Sequence, residues 1–262
     1  MVRGGRSAVA FVEPPARDFH LTAIDGVRVA ATFRPGRSDR SPGVLLLHGV
    51  GASRAATAAN AAWLAGLGYA TLTLDFRGHG QSTTTPRSFG LHEANDAGAG
   101  LAWLKRHQHR APVAAIGISL GGAATLLGEN GPIKGDALVL QAVYPDIRSA
   151  IGNRIATRLG KASALIFEPL LSFQSVARFG VLPSRLSPAT AVRRYTGPVL
   201  VIGGGQDRYT PPAETRAIHD AAPGRKSLWL VPGKDHAAAC DMTDAEYRSR
   251  VWRFLTASIG RP

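Results

Sequence analysis

Across 262 residues the chain holds one cysteine, Cys240. A single thiol excludes any disulfide within the chain and any four-cysteine metal site. Nothing beside Cys240 marks a nucleophile, so it is expected to be a small buried residue rather than a reactive thiol. Acidic residues are also scarce, 18 Asp and Glu against 31 Lys and Arg, a net charge of +13, and only 5 of the basic residues are lysines. That balance favours anionic partners by long-range attraction. The basic residues are scattered, however, without the clustered runs that would trace a nucleic-acid path, so no nucleic-acid partner is expected. No stretch reaches the roughly 18 uncharged apolar residues that cross a bilayer, so no stable membrane insertion is expected. The apolar run from Ala8 to Val12 is too short for the core of a signal peptide, and a cytoplasmic location is the expectation.

With 45% hydrophobic and 19% charged residues, 30 Gly and 17 Pro, the composition is that of neither a disordered chain nor a coiled coil. The length suits one large α/β unit. Residues Phe19 to Phe33 read as two short strands turning at Asp25-Gly26, a pair suited to the positive φ values of a tight hairpin. Short apolar runs then read as buried strands: Val44–His48, Ala70–Asp75, Val113–Ile118, Ala137–Gln141, Val199–Gly203 and Ser227–Val231. Helical patterns lie between them, over 54–67, 92–107, 120–128 and 211–221. Alternating strands and helices predict a mostly parallel sheet flanked by helices.

About 50 residues, 147–196, separate two of these strands where a dozen would do, and they are read as an insertion. The core is accordingly assigned to 19–146 and 197–262, and residues 1–18 to an N-terminal extension. Ile147, Ile151, Ile155 and Leu159 recur every four residues, with Arg154 and Arg158 off that stripe, which predicts an amphipathic helix. The apolar stretch that follows is either a helical hairpin packed on the core or a lid. A lid would use Phe167, Leu171 and Phe173 as a cleft wall above the site.

The strongest chemical signal is Gly117-Ile118-Ser119-Leu120-Gly121, a G-x-S-x-G between a strand and a helix. There a tight turn presents the serine hydroxyl at the carboxyl end of the sheet. A serine becomes nucleophilic only when a histidine, itself held by a carboxylate, takes its proton. Asp207 and His236 fall on turns after the last two strands, so the order is Ser, Asp, His. Asp146, after the preceding strand, is an alternative acid, whereas Asp235 would have to fold back on its neighbour. The N–H groups of Leu120, next to the nucleophile, and of Val50, in the loop His48-Gly49-Val50-Gly51, are the candidate donors to the developing oxyanion.

These motifs resemble the α/β-hydrolase superfamily from about Phe19 to Leu255. The run Asp75-Phe76-Arg77-Gly78-His79-Gly80-Gln81-Ser82 is similar to the D-x-R-G-x-G-x-S segment of many lidded members. The resemblance implies an α/β-hydrolase fold with a short helical lid, serine-hydrolase activity without a cofactor, and a bracing rather than catalytic role for the polar residues of that run, His79 included. Within the superfamily the chain looks most like lidded esterases, monoglyceride-lipase-like and serine-aminopeptidase-like enzymes. Serine at position 119 departs from dehalogenase-like members, which carry an aspartate there, and the absence of a cysteine there departs from dienelactone-hydrolase-like ones. The expected substrate is a small-molecule carboxylic ester. Amide or thioester hydrolysis with the same triad, and a non-catalytic binding protein on the same fold, are the alternatives.

Overall fold

The computed structural model describes residues 15–240 and 243–262; the side chain of Cys240, and most of the extension expected over 1–18, lie outside the described portion. Strands β1 (Arg17–Thr22) and β2 (Arg28–Arg34) pair antiparallel, from Arg17 opposite Phe33 to Thr22 opposite Arg28. Their connection turns at Asp25-Gly26 as expected, but only Gly26 takes a positive φ, of 82°. The turn is therefore wider than the two-residue type, and the Ala23 N–H closes it by donating to the Val27 carbonyl at 2.9 Å.

The core then alternates: β3 (Gly43–Leu47), α1 (Ala58–Gly66), β4 (Ala70–Leu74), α2 (Glu93–His107), β5 (Val113–Ile118), α3 (Leu120–Leu126) and β6 (Ala137–Gln141). Four helices follow before the sheet resumes: α4 (Ile147–Leu159), α5 (Lys161–Ser172), α6 (Gln174–Phe179) and α7 (Pro188–Ala191). The chain ends with β7 (Val199–Gly204), α8 (Pro212–Ala221), β8 (Lys226–Val231) and α9 (Ala245–Ile259). The sheet order is β1-β2-β4-β3-β5-β6-β7-β8, antiparallel at the first two pairings and parallel at the rest.

Both faces of this sheet are covered, which is why its central strands read as unbroken apolar runs. Alternate side chains part to opposite sides. Val44 and Leu46 pack with Leu64 of α1 and with Tyr247, Val251, Leu255 and Ile259 of α9, while Leu45 and Leu47 pack with Ala97, Leu101 and Leu104 of α2 and with Leu120 and Ala124 of α3. The parallel strands all deliver their carboxyl ends to one edge of the sheet, where open α/β sheets bind ligands.

Two helices differ from their sequence patterns. The helix expected over 54–67 opens as a 3-10 turn, Arg54–Thr57, and becomes α-helical only at Ala58. At this opening the Arg54 backbone N–H donates to the Asp75 carboxylate at 2.6 Å. In α4 the buried face does not follow the four-residue stripe, because Ile147 is buried while Leu159 is 66% exposed. Steps of four advance about 40° beyond a full turn, so by Leu159 the stripe has drifted about 120° from Ile147. The face that actually turns inward is Ile147, Ala150, Ile151 and Arg154.

Candidate active site

Ser119 sits between β5 and α3 with φ 49° and ψ −106°, a left-handed backbone rarely adopted by residues other than glycine. Such a conformation costs on the order of 1–3 kcal/mol and must be held by its surroundings. Here the Ser119 N–H donates to the Gln141 carbonyl at 2.8 Å, tying the turn to the end of β6. The flanking glycines are demanded by space. A Cβ on Gly121 would stand 2.4 Å from the Leu47 carbonyl oxygen, and one on Gly122 would stand 2.2 Å from Val143. The first obstacle is backbone and cannot swing aside, so Gly121→Ala is expected to lose about 2 kcal/mol or more of stability. Urea denaturation of the variant checks this.

Asp207 and His236 meet at the carboxyl ends of β7 and β8, with His236 Nδ1 2.7 Å from Asp207 Oδ2. The other carboxylate oxygen accepts the N–H groups of Tyr209 at 2.8 Å and Thr210 at 2.9 Å, so this buried acid has a donor on each oxygen. The two loops are also joined through their backbones, Gly205 N–H to the Val231 carbonyl at 2.8 Å and Gln206 N–H to that of Lys234 at 2.9 Å. The ring of Tyr209 stands edge-on to His236, with centroids 5.6 Å apart. Asp146 is engaged elsewhere: it caps α4, accepting the Ser149 N–H and hydroxyl, each at 2.9 Å.

The loop carrying Val50 is fixed from below by the segment the sequence singled out at 75–82. Asp75 accepts the Arg54 backbone N–H at 2.6 Å, pairs with the Arg54 guanidinium, and accepts the Gln81 N–H at 2.9 Å. Arg54 reaches Thr32 at 2.9 Å and Gln81 at 2.7 Å with its remaining donors. Arg77 is clamped between Asp96 at 2.7 Å and Asp25 at 2.6 Å, and its guanidinium lowers the Asp25 carboxyl to about 2. Sequence reasoning missed Arg54, which it absorbed into an alanine-rich helix. Its position directly after the glycine loop was the available signal.

His48 is fully buried, with Nδ1 donating to the Gly49 carbonyl at 2.7 Å and Nε2 accepting the Phe76 N–H at 3.0 Å. That pattern requires the neutral ring, and burial lowers its pKa to about 4. Because the unfolded chain then binds a proton that the folded chain refuses, stability is full above about pH 6.5 and falls as the pH drops towards about 4. The loss from this group reaches about 3 kcal/mol. Buried His79, edge-on to His48 at 5.1 Å, is pushed down by burial in the same sense. Urea midpoints of wild type and His48→Gln, compared from pH 7 to 4.5, should show the shallower pH slope in the variant.

Beside Ser119 lies a small cavity of about 50 Å³, lined by Val50, Phe89, Leu120, Tyr144 and the inward face of α4, from Ile147 to Arg154. Leu120 is the first residue of α3, so its N–H has no intrahelical acceptor and is available at the cavity. Gly49 packs against the same turn, a Cβ there standing 3.9 Å from that of Ser119. Phe89 is held in place by the Tyr144 hydroxyl, which donates to its carbonyl at 2.7 Å. Phe167, Leu171 and Phe173 are not among the residues that line this cavity, and they are 46, 44 and 51% exposed. The wall of this cavity comes from α4, the first helix of the same insertion, and from Phe89 and Tyr144, which sequence reasoning did not select.

Comparison with known proteins agrees with this architecture. The chain is 31% identical over 248 residues to the uncharacterized protein Rv2307c of Mycobacterium tuberculosis, covering 94% of this chain and 81% of that one. It is 27% identical over 250 residues to the uncharacterized protein YqkD of Bacillus subtilis, covering 94% and 78%. Among solved structures it superposes on the Pyrococcus furiosus esterase Pf2001 with a TM-score of 0.77 over 99% of both chains, at 23% identity, a likeness of fold. The model of the serine aminopeptidase S33 family of hydrolases matches residues 39–179, more than half of the sequence and the part that carries Ser119. The chain therefore belongs to that family of α/β hydrolases.

Proposed function

We propose that the protein hydrolyses carboxylic esters through a covalent acyl-enzyme formed on Ser119. The observation that carries this reading is the Asp207–His236 pair, 2.7 Å apart at the same sheet edge as the strained Ser119 turn. In the first half-reaction Ser119 Oγ attacks the ester carbonyl while His236 Nε2 takes its proton. Asp207 holds the ring by Nδ1 and stabilises the imidazolium. The N–H groups of Leu120 and Val50 receive the negative charge on the carbonyl oxygen, each contributing about 3 kcal/mol to the transition state. Collapse expels the alcohol, which leaves with the proton from His236. Water then attacks the acyl group with the same base, and the acid departs as Ser119 regains its proton.

An aminopeptidase reading of the family's name needs a carboxylate to hold the substrate's ammonium group. Among the described residues the charged side chain on this cavity is instead Arg154, and the one acid of the insertion, Glu168, is held by Arg148 at 2.9 Å. Ester chemistry is favoured for that reason. A fluorophosphonate probe should label wild type but not Ser119→Ala, and wild type should release p-nitrophenol from p-nitrophenyl butyrate. Failure of wild type on both counts would return the chain to the class of binding proteins on a hydrolase fold.

A further inference from the structure

The inward face of α4 carries three apolar residues and then a guanidinium: Ile147, Ala150, Ile151 and Arg154. Among the described residues, Arg154 is the one charged residue on a cavity otherwise walled by Val50, Phe89, Leu120 and Tyr144. Among the described residues no carboxylate lies within ion-pair distance of it. One donor goes to the Ala150 carbonyl at 2.8 Å, and the guanidinium carbon stands 5.3 Å from the centre of the Tyr209 ring. Glu214, the nearby acid on α8, accepts from Asn153 at 2.6 Å through Oε1; its buried Oε2 has no hydrogen-bond partner among the described residues, and Arg154 acts on this carboxylate electrostatically without forming an ion pair with it. Arginine has five N–H donors in a fork suited to carboxylates, so most of this group's hydrogen-bonding capacity is uncommitted.

Its place relative to the chemistry is equally specific. The Tyr209 ring that Arg154 covers is the one standing edge-on to His236, so a single aromatic ring separates the guanidinium from the imidazole. A cation half-buried beside an apolar cavity is worth its desolvation only when an anion answers it. The cavity is small, about 50 Å³, and open to solvent on one side, so an ester bound at Ser119 would extend past Arg154. Resting on the ester-hydrolase reading above, we infer that Arg154 is a specificity residue selecting esters that bear a carboxylate a few bonds from the scissile carbonyl.

The test uses matched pairs with uncatalysed hydrolysis subtracted. On the acyl side, the p-nitrophenyl monoesters of glutaric and adipic acids are compared with p-nitrophenyl valerate and hexanoate. On the alcohol side, 4-carboxyphenyl butyrate is compared with phenyl butyrate. Wild type should favour the carboxylate-bearing member of at least one pair in kcat/KM. Arg154→Met, which keeps length and helix propensity, should lower that preference about tenfold or more, as expected for a charge-assisted hydrogen bond. Arg154→Lys should retain part of it, since the charge remains while the fork is lost. Labelling of both variants by the fluorophosphonate probe shows that the site is folded. The pair that responds tells which side of the ester carries the carboxylate. A wild type that hydrolyses the neutral esters with no preference in any pair, or a preference that Arg154→Met leaves intact, overturns the inference and spares the ester reading. A wild type inactive on every ester removes both.

Discussion

Ser119→Ala is expected to lose roughly 10⁵-fold or more in kcat on p-nitrophenyl butyrate, His236→Ala a comparable factor, and the double variant hardly more than either. The non-additivity is the informative part. The serine is a weak nucleophile until the imidazole takes its proton, and the imidazole has nothing to activate once the hydroxyl is gone, so each single change already disables the unit. Both variants should fold. Ser119 is held by its backbone N–H to Gln141, which alanine keeps, and removing the hydroxyl leaves the left-handed φ unchanged. Residual turnover would come from the N–H groups of Leu120 and Val50, which neither substitution touches. Single-turnover rates for the three variants decide the matter: losses that multiply would mean that Ser119 and His236 act on separate steps.

Much of this arrangement was legible in the sequence because the fold imposes strong local patterns. Strands β3 to β7 are covered on both faces and therefore appear as short, mostly apolar runs, and these and the partly buried edge strand β8 were each found within a residue or two of their place. The glycines around Ser119 announce a turn with no room for side chains, and the structure supplies the obstacles, Leu47 and Val143. What stayed hidden depends on how separate segments approach one another. Sequence order favoured Asp207 but left Asp146 open, since both follow parallel strands next to the same site. The structure separates them because the Asp146 carboxylate is drawn into capping α4. The cavity-lining face of α4 was obscured for a simpler reason. Isoleucine and leucine at every fourth position catch the eye, yet 3.6 residues per turn put Arg154, not Ile155, in line with Ile147 and Ile151. The apolar sequence of α5 gave no sign of its exposure, Leu165 at 81% and Leu170 at 64%, because burial depends on which neighbours the helix meets.

The acid itself offers the sharpest discrimination. Asp207→Asn should lower kcat by about 10⁴-fold while leaving the fold intact. Asparagine is nearly the same shape, and its carbonyl oxygen can still accept the N–H groups of Tyr209 and Thr210 that anchor the turn. The amide nitrogen then occupies the position of Oδ2, 2.7 Å from His236 Nδ1 in the native site. Two donors cannot face each other, so Nδ1 must become the acceptor, the proton moves to Nε2, and the ring loses the lone pair needed to take the serine proton. The defect should appear in kcat with little change in melting temperature. Asp146→Asn provides the contrast. It weakens the cap that accepts from Ser149 at 2.9 Å, a cost of at most about 1 kcal/mol in stability, and should leave kcat within a few-fold of wild type. If the two profiles were exchanged, with Asp146→Asn catalytically crippled and Asp207→Asn merely less stable, the carboxylate that orients His236 during turnover would be the one on α4. The loops after β6 and β7 would then have to rearrange when substrate enters.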